Sequence, residues 1–283
     1  MRKIESVCWD ITSKCNDSCN FCFRDSESVD LSLADNIVIL EKFINYGIKK
    51  ITFTGGEASL YNNLWELIRH AYNHGIYTNL DTNAVSINDN FIVNIGKYLN
   101  CITMSLDGVD SITQEEMTRN GNHFGNVLRV LEKISKKGIV IDKKINTVVT
   151  QINIGYVIDI LPILYKYKIN IWKLFQFFSP RYKALLHKAK FTISDVDFNK
   201  LKYKIQNKNN EKNLKTIFQS CENLKQSYFV VSSNGNVRYD GNKKENIGNL
   251  LTDEIDDIFC KVDFNYDDYL DRREEGCFKT ALS

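Results

Sequence analysis

The densest chemistry in the chain lies in Cys15-Asn16-Asp17-Ser18-Cys19-Asn20-Phe21-Cys22, where three thiols fall in a C-x3-C-x2-C spacing. Clustered thiols suit a soft metal ion or an iron–sulfur cluster, because both take thiolate ligands. A closed zinc site wants a fourth ligand, so the triplet alone is one short. An iron–sulfur cubane held by three cysteines instead keeps one iron open. Cys8 lies upstream in a short apolar run and stands apart from the triplet.

A loop of this kind needs a scaffold, and the pattern of apolar residues supplies one. Alternating or β-branched runs predict strands over 6–12, 50–54, 76–82, 101–106, 139–149 and 170–177. Helical spacing predicts helices over 33–46, 64–74, 90–99, 124–137 and 154–167, three of them followed by Gly47, Gly75 or Gly138 as stops. Strands alternating with helices argue for a parallel sheet with right-handed crossovers. Six units are too few for a complete eight-unit barrel. The expected fold is therefore α/β, a partial (β/α)6 barrel over 1–178. Residues 179–283 form a C-terminal extension that closes the barrel within the same globular unit. That extension holds an exposed Lys- and Asn-rich helix and loop over 200–215, and a hairpin over 228–239 turning at Ser233-Asn234-Gly235-Asn236.

Ligands of α/β folds sit at the carboxyl ends of strands, so those ends are the places to inspect. The second strand ends in Thr54-Gly55-Gly56-Glu57. Glycines let backbone approach a ligand closely, and Glu57 offers a carboxylate to an ammonium. Asn83 follows the third strand, and Ser105 closes the fourth; both can bond hydroxyls or a carboxylate. Asn146, inside the fifth strand, needs a partner for its amide. Lys173 lies among Trp172, Leu174 and Phe175, an expensive place for a cation unless an anion meets it.

The 283 residues are 43% hydrophobic and 25% charged, which is ordinary globular usage. A formal charge of +2 implies no global attraction to polyanions, so no nucleic acid is expected, although local patches remain free to act. No secretory pattern follows Met1-Arg2-Lys3-Ile4-Glu5, and no run approaches the ~20 apolar residues of a membrane helix. The eight cysteines are therefore expected as thiols in the cytoplasm, with no membrane association.

The triplet, with the aromatic Phe21 before its third cysteine, resembles the signature of the radical S-adenosylmethionine (radical SAM) superfamily. The resemblance implies that Cys15, Cys19 and Cys22 hold a [4Fe-4S] cluster whose open iron chelates S-adenosyl-L-methionine. That cofactor is then cleaved to methionine and a 5′-deoxyadenosyl radical, with the electron supplied by a reducing protein such as flavodoxin or ferredoxin. Thr54-Gly55-Gly56-Glu57 is similar to the superfamily's Gly-Gly-Glu motif, although Ala58 stands where a proline commonly follows. The cofactor-binding residues implied are Phe21, Gly55, Gly56, Glu57, Asn83, Ser105 and Asn146.

Further matches narrow the resemblance. Lys144-Ile145-Asn146-Thr147-Val148, Trp172-Lys173-Leu174-Phe175-Gln176 and Lys190-Phe191-Thr192-Ile193-Ser194 resemble viperin and its prokaryotic relatives, in register from about Val7 to about Leu250. This implies dehydration of a nucleoside triphosphate (CTP, GTP or UTP) to its 3′-deoxy-3′,4′-didehydro form, in antiviral defence. The implied triphosphate contacts are Lys50, Thr54, Arg119, Lys173 and Lys190, on a monomer. Cys8 departs from the animal enzymes, which carry an asparagine near the substrate there. The membrane-binding segment of the animal proteins has no counterpart before the first strand.

Two other classes compete. A radical SAM peptide maturase is suggested by Gly235-Asn236-Val237-Arg238-Tyr239 and Ile247-Gly248-Asn249-Leu250, which resemble the tail of an auxiliary-cluster domain. Tyr239 stands where a ligand cysteine is expected there, and Cys221, Cys260 and Cys277 are scattered. A zinc-binding interaction module would use the triplet alone, and would leave the strand-end motifs without a role.

Overall fold

Seven strands carry the frame: β1 (Ser6–Thr12), β2 (Lys50–Gly55), β3 (Tyr77–Thr82), β4 (Cys101–Ser105), β5 (Asp142–Val149), β6 (Ile171–Gln176) and β7 (Lys215–Gln219). Each pairs in parallel with the next. The short strands β8 (Val230–Val231), β9 (Asn236–Arg238) and β10 (Gly248–Asn249) complete one sheet in the order β10-β9-β8-β1-β2-β3-β4-β5-β6-β7. The computed structural model describes residues 4–24, 28–222, 228–238, 246–261 and 269.

The crossovers are α1 (Leu33–Tyr46), α2 (Leu64–Asn73), α3 (Asp89–Tyr98), α4 (Ser111–Glu116), α5 (His123–Lys136) and α6 (Leu161–Lys166). After β6 come α7 (Tyr182–Leu186), α8 (Lys188–Phe191) and α9 (Asp195–Lys208), and α10 (Ile255–Phe259) follows β10. The boundaries have local causes. Ser32 caps α1 by accepting from the Asp35 amide, and Gly47 ends it at φ 87°, a left-handed turn that suits glycine.

Successive residues of a strand point to opposite faces, and here the two faces differ in chemistry. Val7, Trp9, Ile11, Ile51, Phe53, Leu80, Ile102, Met104, Ile145, Trp172 and Leu174 join helix residues such as Phe43, Leu67, Ile95 and Val130 in the main core. The alternating positions form the inner face. Registers place Cys8 beside Thr52, Thr52 beside Asn79, Thr103 beside Lys144, Ser105 beside Asn146, and Asn146 beside Lys173. This inner face is polar, unlike a packed barrel interior of branched apolar residues.

The sheet curls around that polar face. Along the sheet, β6 and β8 are six steps apart. Six steps at the usual strand spacing would span ~29 Å if the sheet were flat. Yet Lys173 of β6 donates to the hydroxyl of Tyr228, just before β8, at 3.3 Å. Tyr77, Cys101, Ile171 and Ile217 also touch across β3, β4, β6 and β7, forming an apolar floor at the amino ends of the strands.

The α/β fold is present as expected. Among the described residues no ladder joins β7 to β10, and the contact across the gap from β6 to the start of β8 is made by the side chains of Lys173 and Tyr228. The region expected as helix and loop over 200–215 continues into β7, which pairs with β6. Its Thr216-Ile217-Phe218 core is short, and only the waiting edge of β6 selects it. The hairpin forms as β8 and β9, with β8 also pairing in parallel to β1; Tyr239 lies outside the described residues. The helix expected over 154–167 is a 3-10 turn over Val157–Ile160 followed by α6, whose Pro162 sits in the first turn, where proline is tolerated.

Candidate active site

The cysteine loop is fixed from both sides. On the approach, Asp30 accepts from the Thr12 hydroxyl (2.6 Å) and the Ser13 amide (2.7 Å). The Gly56 amide donates to Thr12 O, and the Glu57 amide to Lys14 O, each at 2.8 Å. A Cβ on Gly56 would lie 2.0 Å from Lys14 O, and one on Gly55 would lie 2.4 Å from Thr12 O. The two glycines therefore let β2 close onto the backbone of the cysteine loop. The pressure is steric and comes from residues 12–14.

Glu57 is held by its own neighbours. The residue is 2% exposed. Oε1 accepts from the Ser59 amide, the Ser59 hydroxyl and Thr82 Oγ1, while Oε2 accepts the Asn83 amide at 2.7 Å. One oxygen is saturated, and the other keeps a single acceptor site. Burial raises its pKa, against the hydrogen bonds from Asn83, Ser59 and Thr82. Glu57 is first an anchor between β2 and β3, with one lone pair left for an ammonium.

The third strand end reaches the loop as well. Asn83 Nδ2 donates to Asn16 Oδ1 at 2.7 Å, and Asn16 in turn donates to Ser86. Ser105 sits half-buried at the end of β4, beside Asn146. Asn146 Oδ1 is buried with no hydrogen-bond partner among the described residues. An orphaned acceptor on the inner face costs about 1–3 kcal/mol unless a ligand donor meets it.

Arg119, expected at the triphosphate, is held from within the protein. Its Nε and Nη2 both reach Asp107 Oδ2 at 2.8 Å, Nη1 lies 3.4 Å from Cys19 Sγ, and the guanidinium stacks 4.8 Å from the Phe21 ring centroid. Phe21 is buried with Cys19, Met117, Phe177, Ala184 and Phe191, and the partly buried Cys22 and Val148 pack on that group. Val148 lies on the inner face of β5, two residues after Asn146, so the loop sits over the carboxyl-end mouth. Thr118, at φ 60° and strained for a β-branched residue, accepts the Asn20 amide at 2.9 Å.

The thiols fit a cluster. Burial pushes the Cys19 thiol up to about 12 against the pull of Arg119, and raises Cys15 too. Cys22 lies close enough for its charge to act on both. Bare thiolates are thus disfavoured here, and bound iron would supply the compensating charge. Among the described residues no three His, Cys, Asp or Glu side chains converge as a single-ion site requires. A cubane asks for something else, one thiolate per iron.

The expected substrate residues divide. Lys50, Thr54 and Lys173 lie on the inner face. Lys50 Nζ stands 5.6 Å from the Tyr77 ring centroid above the floor, and Lys173, 8% exposed, lies over Phe175 and Tyr228. Lys190 is exposed on α8, outside that face, with its ammonium over Phe191. Sequence reasoning missed Lys144, inward on β5 beside Thr103, although its i,i+2 relation to Asn146 was the available signal. It also missed Arg238, which pairs with Asp10 across β9, β8 and β1. Of the scattered cysteines, Cys221 donates to Phe177 O at 3.2 Å and Cys260 is exposed. Cys277 lies outside the described residues.

A parallel sheet with a three-thiol loop at its mouth, pinned by a Gly-Gly-Glu turn, defines a radical SAM enzyme. The family model for the radical SAM superfamily matches residues 9–161, and the chain belongs to that superfamily. Its members use a [4Fe-4S] cluster and S-adenosylmethionine, and the donors described above fit both. The chain is 28% identical over 285 residues to an S-adenosylmethionine-dependent nucleotide dehydratase of Flammeovirga pacifica, covering 95% of this chain and 94% of that one. A protein of the same description from Lacinutrix mariniflava is 26% identical over 290 residues; the match covers 95% of this chain and 58% of that longer one. In fold the chain is similar to Streptococcus suis SuiB bound to S-adenosylmethionine, with a TM-score of 0.75, 16% identity, and coverage of 94% of this chain and 67% of SuiB. Among the described residues no helix is long and apolar enough to cross a membrane.

Proposed function

We propose that this protein is an S-adenosylmethionine-dependent dehydratase of a nucleoside triphosphate, CTP, GTP or UTP. The observation that carries this is the inner face, which lines up Lys50, Lys144 and Lys173 on three strands above an apolar floor. A triphosphate needs several cations together with hydroxyl and amide donors. Thr52, Thr54, Asn79 and Thr103 provide the latter on the same face. Lys50 lies four residues below Thr54, so the face runs about 13 Å from floor to mouth. That depth suits extended phosphates below and a sugar at the mouth. The full-length similarity to the Flammeovirga pacifica protein supports the same reading.

When bound, the cluster and S-adenosylmethionine supply a radical that takes a hydrogen from the sugar. The chain's own residues do the rest. The lysines hold the phosphates, Asn146 Oδ1 offers a buried acceptor near the mouth, and the floor keeps water from entering below. Phe21 and Phe191 pack the cysteine loop against its surroundings. Arg119 holds that loop through Cys19, and contact with phosphate is secondary to that task.

The test is an anaerobic nucleotide panel read by mass spectrometry, with cofactor and reductant present. The expected product is one nucleotide that has lost a water, formed together with 5′-deoxyadenosine. Lys173→Met removes one charge-assisted contact, about 1.5–3 kcal/mol, so nucleotide Kd should rise roughly 10- to 150-fold. No water loss from any nucleotide, or an unchanged Kd in Lys173→Met, overturns the assignment.

A further inference from the structure

The segment 181–190 lies directly on the cysteine loop, and its outer surface has no role in the chemistry above. The Ala184 amide donates to Cys22 O at 3.1 Å, Lys183 Nζ to Ser18 O at 3.3 Å, and Arg181 Nε to Phe23 O at 3.1 Å. Its inner side is accounted for, since Ala184 and Phe191 pack with Cys19 and Phe21. The outer side exposes Leu185 (53%) and Leu186 (81%). Lys183, Lys188 and Lys190 are exposed around them, and no Asp or Glu occurs between Pro180 and Ser194.

We propose that this face is the docking surface for an acidic one-electron carrier protein that reduces the cluster. The inference rests on membership of the radical SAM superfamily and is independent of the substrate. In the step it serves, one electron leaves the reduced carrier and enters the oxidised cluster. The carrier is oxidised by one electron, and no atom is transferred. Cys19 packs against Ala184 and Cys22 O accepts the Ala184 amide, so a carrier seated on this face is brought close to two of the cluster ligands.

Charge and apolar area decide the kind of partner. A solvated basic face explains the lysines but leaves two exposed leucines without a purpose. A small polyanion or a nucleic acid would be drawn by the same charges and would make nothing of the leucines. A protein partner uses both. Weak redox complexes are small interfaces, and a charged rim around an apolar centre steers the encounter without holding it long. The whole chain is close to neutral, at +2, so an acidic carrier would be guided to this patch rather than to the molecule at large.

The experiment uses the reconstituted holoenzyme without nucleotide, and follows cluster bleaching in a stopped-flow instrument. Photoreduced flavodoxin is one electron source and dithionite is the other. The double variant Leu186→Asp, Lys188→Glu alters the patch and spares Lys183, which is bonded to the loop, and Lys190. Flavodoxin-driven reduction is expected to fall at least about tenfold at low salt and to lose its salt dependence. Dithionite-driven reduction and cofactor cleavage are expected to stay at the wild-type level. An unchanged flavodoxin rate overturns the proposal, and so does an equal slowing with dithionite. Because no nucleotide is present, neither result bears on the dehydratase assignment.

Discussion

His123 gives the sharpest quantitative prediction. It is fully buried, and its Nδ1 lies 2.9 Å from Gln114 Nε2. The Asp107 amide donates to Gln114 Oε1 at 3.0 Å, which turns the amide NH2 toward the ring. Nδ1 must therefore accept, and a proton there would set N–H against N–H. Burial, helped by the nearby Arg119 charge, holds its pKa well below the ordinary value. The unfolded chain thus takes up this proton first. Stability from this group is present above the unfolded pKa near 6.5 and is lost as pH falls through it. One unit below that value, at about pH 5.5, the loss is about 1.4 kcal/mol, and it grows by about as much per further unit. His123→Asn keeps an acceptor for Gln114 but cannot titrate. Urea midpoints of the reduced apoprotein, taken from about pH 8 to pH 5.5, should show the wild type losing that amount relative to the variant. A wild-type-minus-variant difference that stays constant over this range refutes the reasoning.

Other outcomes follow from the same network and its neighbours. Arg119→Met strands the buried Asp107 carboxylate and should cost about 3–5 kcal/mol; adding Asp107→Asn should recover part of that, and strictly additive costs in urea unfolding would show that the pair is not coupled. Gly56→Ala places a methyl 2.0 Å from Lys14 O, so the loop must shift; iron per chain after reconstitution should drop well below wild type, and a full complement would contradict the packing account. At Asp30, burial pushes the carboxyl pKa up, but hydrogen bonds from Thr12 and Ser13 prevail and lower it. Its contribution is therefore present above about pH 3.9 and lost as pH falls through its lower folded value, so Asp30→Asn should flatten the acid limb of the stability curve. Matching acid limbs in both proteins would remove Asp30 from the account.

Much of the frame was legible because its signals are local. The alternation in Ser6–Thr12, the cap at Ser32 and the stop at Gly47 depend on neighbours in sequence, and so do the cysteine spacing and the Gly-Gly-Glu turn. What escaped depends on distant partners. β7 exists because β6 presents an edge, and nothing in Thr216-Ile217-Phe218 alone demands a strand. The glycine pair was legible as a close approach, but residues 12–14 as the thing approached were not. Arg119 was read as a triphosphate contact, and nothing near it in sequence points to Asp107, Cys19 and Phe21 as the groups around it. Lys144 is the exception, since its i,i+2 relation to Asn146 was a local signal, and the register with β4 adds only that it lies beside Thr103.

The pairing of β1 with β8 also sets a timetable for synthesis. The Cys8 amide bonds Phe229 O, and the Glu5 and Ser6 amides bond the Tyr269 hydroxyl. The strand leading into the cysteine loop is thus made well before the segments that cover its outer edge, which lie more than 200 residues further on. At ~5–20 residues per second, that wait lasts roughly 10–40 s. During it the three thiols hang from a nascent strand flanked on one side at most, open to oxidation. Iron delivery to this protein therefore belongs after translation, once the late segments have locked the early strand in place.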